Sequence, residues 1–197
     1  MLTFAAAVFF LVATPGPGVL STAGIGAAYG TRPGLRYLVG LCLGSNLVAV
    51  AVISGLAALI LADARLRVAL LLASTGYLLY LAFRIATAGA RIAFIEARRE
   101  PGIVDGLALQ AINPKAYAVN TTLFSGFAIL PEATLAEALI KLVILNAIWV
   151  PVHVAWLGAG IWLRRLDLAQ RTQRAINIAM AAAMLAVVAL ALASLAL

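Results

Sequence analysis

The residues of this chain that could do chemistry stand inside long apolar runs. Ala13-Thr14-Pro15-Gly16-Pro17-Gly18 and, about a hundred residues later, Ile112-Asn113-Pro114-Lys115-Ala116 both place helix breakers between apolar flanks. A proline within a helix removes a backbone donor, so Pro15, Pro17 and Pro114 are expected to free the carbonyls of Leu11, Ala13 and Gln110, which hydrocarbon cannot hydrate. Such backbone survives only around a protein-enclosed cavity. A Gly/Pro-interrupted segment in each half of a membrane protein therefore points to a transport site. Half-helices restarting near Gly18 and near Lys115 turn N–H groups and a positive dipole end toward an anion, and the freed carbonyls attract an ammonium group or cation. A zwitterionic amino acid fits both poles, and Gly16 and Gly18 let it approach the backbone.

Ionisable groups within apolar spans are expensive to hold and are functional candidates by default. Lys115 lies beside the second break, deep in its run, and is the sharpest candidate. His153, the only histidine, lies near Asn146, Trp149, Pro151 and Trp156; a proton carrier and a hydrogen-bonded structural histidine fit equally well. Asp105 is a third candidate for proton coupling, although it also suits the N-terminal turn of a helix as a charge favoured by the dipole. Asn46 with Ser45, and Asn113 and Asn120, either line the same cavity or pair across helices. The expected binding set is Pro15, Gly16, Pro17, Gly18, Asn46, Asn113, Pro114 and Lys115.

The elements that position these residues must be membrane helices. The chain has 197 residues, 65% hydrophobic and 11% charged, with a mean hydropathy of +1.10. A soluble domain is roughly half apolar and a quarter charged, so composition alone indicates an integral membrane protein. The net charge of +7 is read as topology, because no nucleic-acid-reading motif accompanies it. Cys42 is the single cysteine, which excludes an intramolecular disulfide and a thiol pair for redox work. No nucleophile with a partner base marks an enzyme, and no cofactor motif is present. The first apolar run lacks a basic segment before it and reads as a mature helix rather than a signal peptide.

Six runs approach the roughly 20 apolar residues that a span needs: 2–28, 37–61, 66–87, 104–130, 137–163 and 175–197, the last with Asn177 as its only strongly polar member. Residues 1–197 thus form one all-α transmembrane domain, with half-repeats of about 1–87 and 104–197 joined by a linker at 88–103. Three spans per half put the halves in opposite orientations, the geometry of an inverted repeat with proline-broken helices one and four. Arg32, Arg36, Arg84, Arg91, Arg98, Arg99, Arg164, Arg165, Arg171 and Arg174 follow spans one, three and five. Arg65, Arg67 and Lys141 follow the other two. The first group is expected on the cytoplasmic side, with both termini outside.

With these motifs in hand, the chain resembles the lysine exporter (LysE/RhtB) family. The resemblance rests on Pro15-Gly16-Pro17-Gly18, on Gly40 and Gly44, on Gly76-Tyr77-Leu78-Leu79-Tyr80-Leu81 with Arg84, on Asn113-Pro114-Lys115-Ala116, and on the Arg164-Arg165 pair before the sixth span. It implies a six-helix, multi-pass carrier of the bacterial inner membrane that exports amino acids or related small metabolites by proton exchange. It also implies Pro15, Gly16, Pro17, Asn113, Pro114 and Lys115 as functional positions, membrane lipid as surroundings and no cofactor, and it leaves a homo-oligomer open. The alternative is a metal-ion exporter of the same broad superfamily. Hard cations, however, want several carboxylates and softer ones want Cys or His clusters, which the spans do not supply.

Overall fold

Both proline-glycine segments interrupt their helices. In a computed structural model of the chain, which describes residues 1–14, 16–56, 63–87, 100–130 and 134–166 with scattered helical residues between 171 and 186, α1 covers Leu2–Ala13 and α2 covers Pro17–Tyr29. Their axes are bent by 53°. Pro15 and Asn177 lie outside the described residues, as do 88–99 of the linker and most of 175–197. At the end of α1, the Thr14 N–H and hydroxyl both donate to the Phe10 carbonyl, at 3.1 and 2.5 Å. Pro17 occupies the first position of α2, where its missing donor costs nothing.

A single residue, Gly30 with φ 85°, joins α2 to α3, Thr31–Ile53. That left-handed conformation favours glycine. The helix starts at Thr31 rather than 37 because its polar first turn, with Arg32, Pro33 and Arg36, is helical without being apolar. It ends at Ile53 rather than 61, where Ser54 and Gly55 turn the chain. Next comes α4, Ala64–Thr87, capped by Asp63 Oδ1, which accepts from the N–H groups of Arg65 (2.7 Å) and Leu66 (3.3 Å). The fourth span is divided by Asn113 into α5, Ile103–Ile112, and α6, Pro114–Gly126. The longest helix, α7, is Thr134–Arg165. No strand occurs among the described residues.

α3 and α7 are each long and apolar enough to cross a membrane, and α1 with α2 adds a third span if the bent pair is counted as one. Exposed Phe10, Leu47 and Val143 give these helices an apolar outer surface, as lipid contact requires. Inside, α3 packs along α5 and α6, and α7 along α2 and α1. The unbroken helix of each half therefore lies on the broken helix of the other. The α3/α5 contact is backbone against backbone. A side chain at Gly40 would strike the Ile103 carbonyl, and one at Gly106 would strike the Tyr37 carbonyl.

The connections separate by end in the way the arginine distribution requires. Arg164, near the end of α7, lies against Gly30, and Pro33, Arg36, Glu100 and Pro101 line one groove, so the junctions after spans one, three and five share an end. At the other end, Val52, Ile53, Phe127, Ala128 and Glu137 line a second groove, which brings together the connections after spans two and four. Lys141 is not the exposed topological charge that the sequence suggests, being 2% exposed. It pairs with Glu137 at 2.6 Å and donates to the carbonyls of Phe124 and Phe127 at the C-terminal end of α6. Three donors meet three acceptors, which makes a buried ammonium tolerable.

Candidate functional site

The two breaks meet. Lys115, in the first turn of α6, sends its Nζ across to the carbonyl of Thr14 at the end of α1, a hydrogen bond of 2.6 Å between the two interrupted spans. The ammonium thereby rests at the negative end of the α1 dipole. Gly16 is what admits it, since a Cβ there would lie 2.8 Å from Lys115 Cδ and 2.9 Å from Nζ. The Gly16 backbone is extended, at φ −169°, so what glycine provides here is space. The carbonyl engaged is that of Thr14, whereas the proline pattern pointed to Leu11, Ala13 and Gln110. The Gln110 carbonyl accepts from the Asn113 N–H at 3.3 Å.

The two half-helix N-termini differ. At α6, Asn113 is the N-cap, and its Oδ1 accepts from the Lys115 N–H at 3.1 Å. At α2 the N-cap is Gly16, which has no side chain to offer, so the N–H groups of Gly18 and Val19 lack a side-chain cap. Of the two positive ends expected from the sequence, the one at α2 is available to an anion.

A cavity with about 50 Å³ of room for water lies between these elements, lined among others by Thr14, Gly16, Gly18, Asn113, Lys115 and His153. That volume holds a few waters, since one needs roughly 10–15 Å³ on this measure. His153 Nδ1 lies 3.0 Å from the Trp149 carbonyl, and its ring stacks on Trp149 at 3.6 Å. A carbonyl only accepts, so Nδ1 carries the proton, and in the neutral ring Nε2 is a bare acceptor. A Cβ at Gly18 would lie 3.4 Å from that Nε2, which places it at the start of α2.

Gly16, Gly18, Asn113, Lys115 and His153 from the sequence-derived set line this cavity; Pro17, Pro114, Asn46 and Asp105 are not among its lining residues. The prolines act one step back, by ending α1 and α5 and starting α2 and α6. Asp105 Oδ2 accepts from the Gly102 N–H at 2.7 Å, a role at the start of α5. Asn46 pairs with Asn146: each Nδ2 donates to the other's Oδ1, at 2.9 and 2.8 Å, and each also donates to the carbonyl four residues back on its own helix. This clasp joins α3 to α7. Either Asn46→Leu or Asn146→Leu should therefore cost about 1–2 kcal/mol, with the double variant costing less than the sum. Thermal unfolding of the purified variants checks this, and strictly additive losses would show that the pairing carries no energy.

Sequence reasoning missed the side chain of Gln110, buried in the cavity wall, whose Oε1 accepts from Asn113 Nδ2 at 3.3 Å. An amide in an apolar run, three residues before Asn113, was the available signal. Among the described residues no three His, Cys, Asp or Glu side chains cluster to hold a metal.

A family model described as LysE type translocator matches residues 9–195, nearly the whole chain. No curated protein and no solved structure matches it.

Proposed function

The chain belongs to the LysE type translocator family, and from that premise we propose that it exports amino acids or related small zwitterions across the bacterial inner membrane in exchange for protons. The observation that carries this reading is the Lys115–Thr14 hydrogen bond, which ties two interrupted spans together over a cavity with poles of both signs. The cargo carboxylate docks on the uncapped N–H groups of Gly18 and Val19 and draws Lys115 toward itself. Lys115 then releases the Thr14 carbonyl, so a loaded site and an intact tie exclude one another. The halves are free to rock only while the tie is open, which links cargo to alternating access.

Lys115 and His153 are the two ionisable side chains among the described lining residues. His153 Nε2 takes the exchanged proton; the resulting imidazolium keeps its bond to the Trp149 carbonyl and rests on the Trp149 face. The packing of each half's long helix on the other half's broken one, with the odd-numbered connections at one end, supports two inverted three-helix repeats.

Everted vesicles with an acid lumen are expected to accumulate labelled amino acids, and an uncoupler should abolish that accumulation. The absence of gradient-driven uptake across neutral, acidic and basic amino acids would overturn this function.

A further inference from the structure

The poles of the breaks leave one side of the cavity unexplained. Asn120 is 2% exposed and lines the cavity on α6, one and a half turns beyond Lys115. Its Nδ2 donates to the Ala116 carbonyl at 2.8 Å, which fixes the orientation of the amide, and its Oδ1 is buried with no hydrogen-bond partner. A buried carbonyl oxygen left unpaired costs free energy, and native structures keep such atoms where something else fills the gap. His153 Nε2 also reaches this cavity but lies at the start of α2, beside Gly18, and so belongs to the other pole. A buried acceptor without a donor suits a cargo group that brings N–H bonds.

Building on the export reading above, we propose that Asn120 Oδ1 is the subsite for the cargo's α-ammonium, apart from the carboxylate subsite at Lys115 and Gly18, and that the cargo is a neutral α-amino acid. Asn120 lies about 7.5 Å along the helix axis from Lys115, and both residues line the one cavity. The rest of the wall carries no charge: Val12, Val19, Val119, Leu145 and Trp149 are apolar, and Ser45 and Gln110 are uncharged polar members. A second cation on the cargo would meet Lys115 and no carboxylate. The chain's acids are Asp63, Glu96, Glu100, Asp105, Glu132, Glu137 and Asp167, and none is among the described residues that line the cavity. Asn120 thus sets specificity by what it accepts, and the lack of an acid among the described lining residues sets it by exclusion.

The test compares each variant's response to cargo with and without the amino group. In everted vesicles, uptake of the best transported of L-alanine, L-serine, L-threonine, L-valine and L-leucine is inhibited by that unlabelled amino acid, by its deaminated acid and by L-lysine. The wild type should favour the amino acid over the deaminated acid by at least tenfold, and L-lysine should inhibit at least tenfold more weakly. Asn120→Leu should erase most of the first preference, chiefly through weaker amino-acid binding with the acid little changed. Asn120→Asp, which keeps the acceptor and the shape, should restore it, and that recovery cannot come from misfolding. Equal weakening of both competitors in Asn120→Leu, or an unchanged preference, would overturn the ammonium subsite while leaving export standing. Inhibition by L-lysine matching the neutral amino acid would overturn the cargo assignment. Wild-type vesicles that move no amino acid would bring down the export reading and this subsite together.

Discussion

Lys115→Ala should lower gradient-driven uptake by at least about a hundredfold while the protein stays inserted and monodisperse. The loss combines the carboxylate's cationic partner with the tie to the Thr14 carbonyl. A hundredfold corresponds to about 2.8 kcal/mol, within the range of one buried charged hydrogen bond. Gly16→Ala tests the same contact from the other side. Its extended backbone accepts alanine without strain, but the new Cβ would intrude on Cδ and Nζ of Lys115. Uptake should fall about tenfold, and Gly16→Ala should have no further effect in the Lys115→Ala background, because the contact it disturbs is gone. Initial uptake rates at matched protein density provide the measurement. Rates that multiply in the double variant would place Gly16 and Lys115 in separate roles.

The second large effect concerns assembly. Gly40→Ala drives a methyl group into the Ile103 carbonyl, and Gly106→Ala drives one into the Tyr37 carbonyl with the Leu41 nitrogen 2.8 Å away. Neither obstacle is a flexible side chain that could swing aside, so α3 and α5 must separate along their length. Overpacking of this kind costs typically 1–3 kcal/mol, and more where backbone must move. Both variants should show lower folded yield and a clearly lower unfolding temperature, whereas Gly158→Ala, on an open face with nothing within 4 Å, should behave as wild type. Wild-type stability in Gly40→Ala would mean that the close approach of α3 and α5 does not hold the molecule together.

Much of this architecture was legible because membrane burial makes local sequence decisive. Both breaks stand where a proline follows a capping residue, Pro17 after Gly16 and Pro114 after Asn113, whereas Pro151, without one, sits inside the continuous α7. The separation of the arginine-rich connections by end was readable for a similar reason, since charge cannot cross the span. Helix ends were less legible. The first turn of α3 is polar, and hydropathy does not register a helix until the apolar residues begin, although Gly30 marked its start.

Side-chain partners could not be read in this way. Asn46, Asn120, Lys115 and Lys141 are each a polar residue in an apolar run, and nothing in the string separates their fates. One clasps Asn146, one keeps an unpaired oxygen on the cavity, one ties the two breaks and one closes the end of α6. The sequence by itself determined an all-helical membrane protein with two interrupted spans, because those properties follow from hydropathy and proline chemistry along a single strand of residues. Only the tertiary structure decided which pole of which break stays open and what each buried polar atom meets. Those outcomes depend on atoms about a hundred residues apart coming within hydrogen-bond reach, which no local rule encodes.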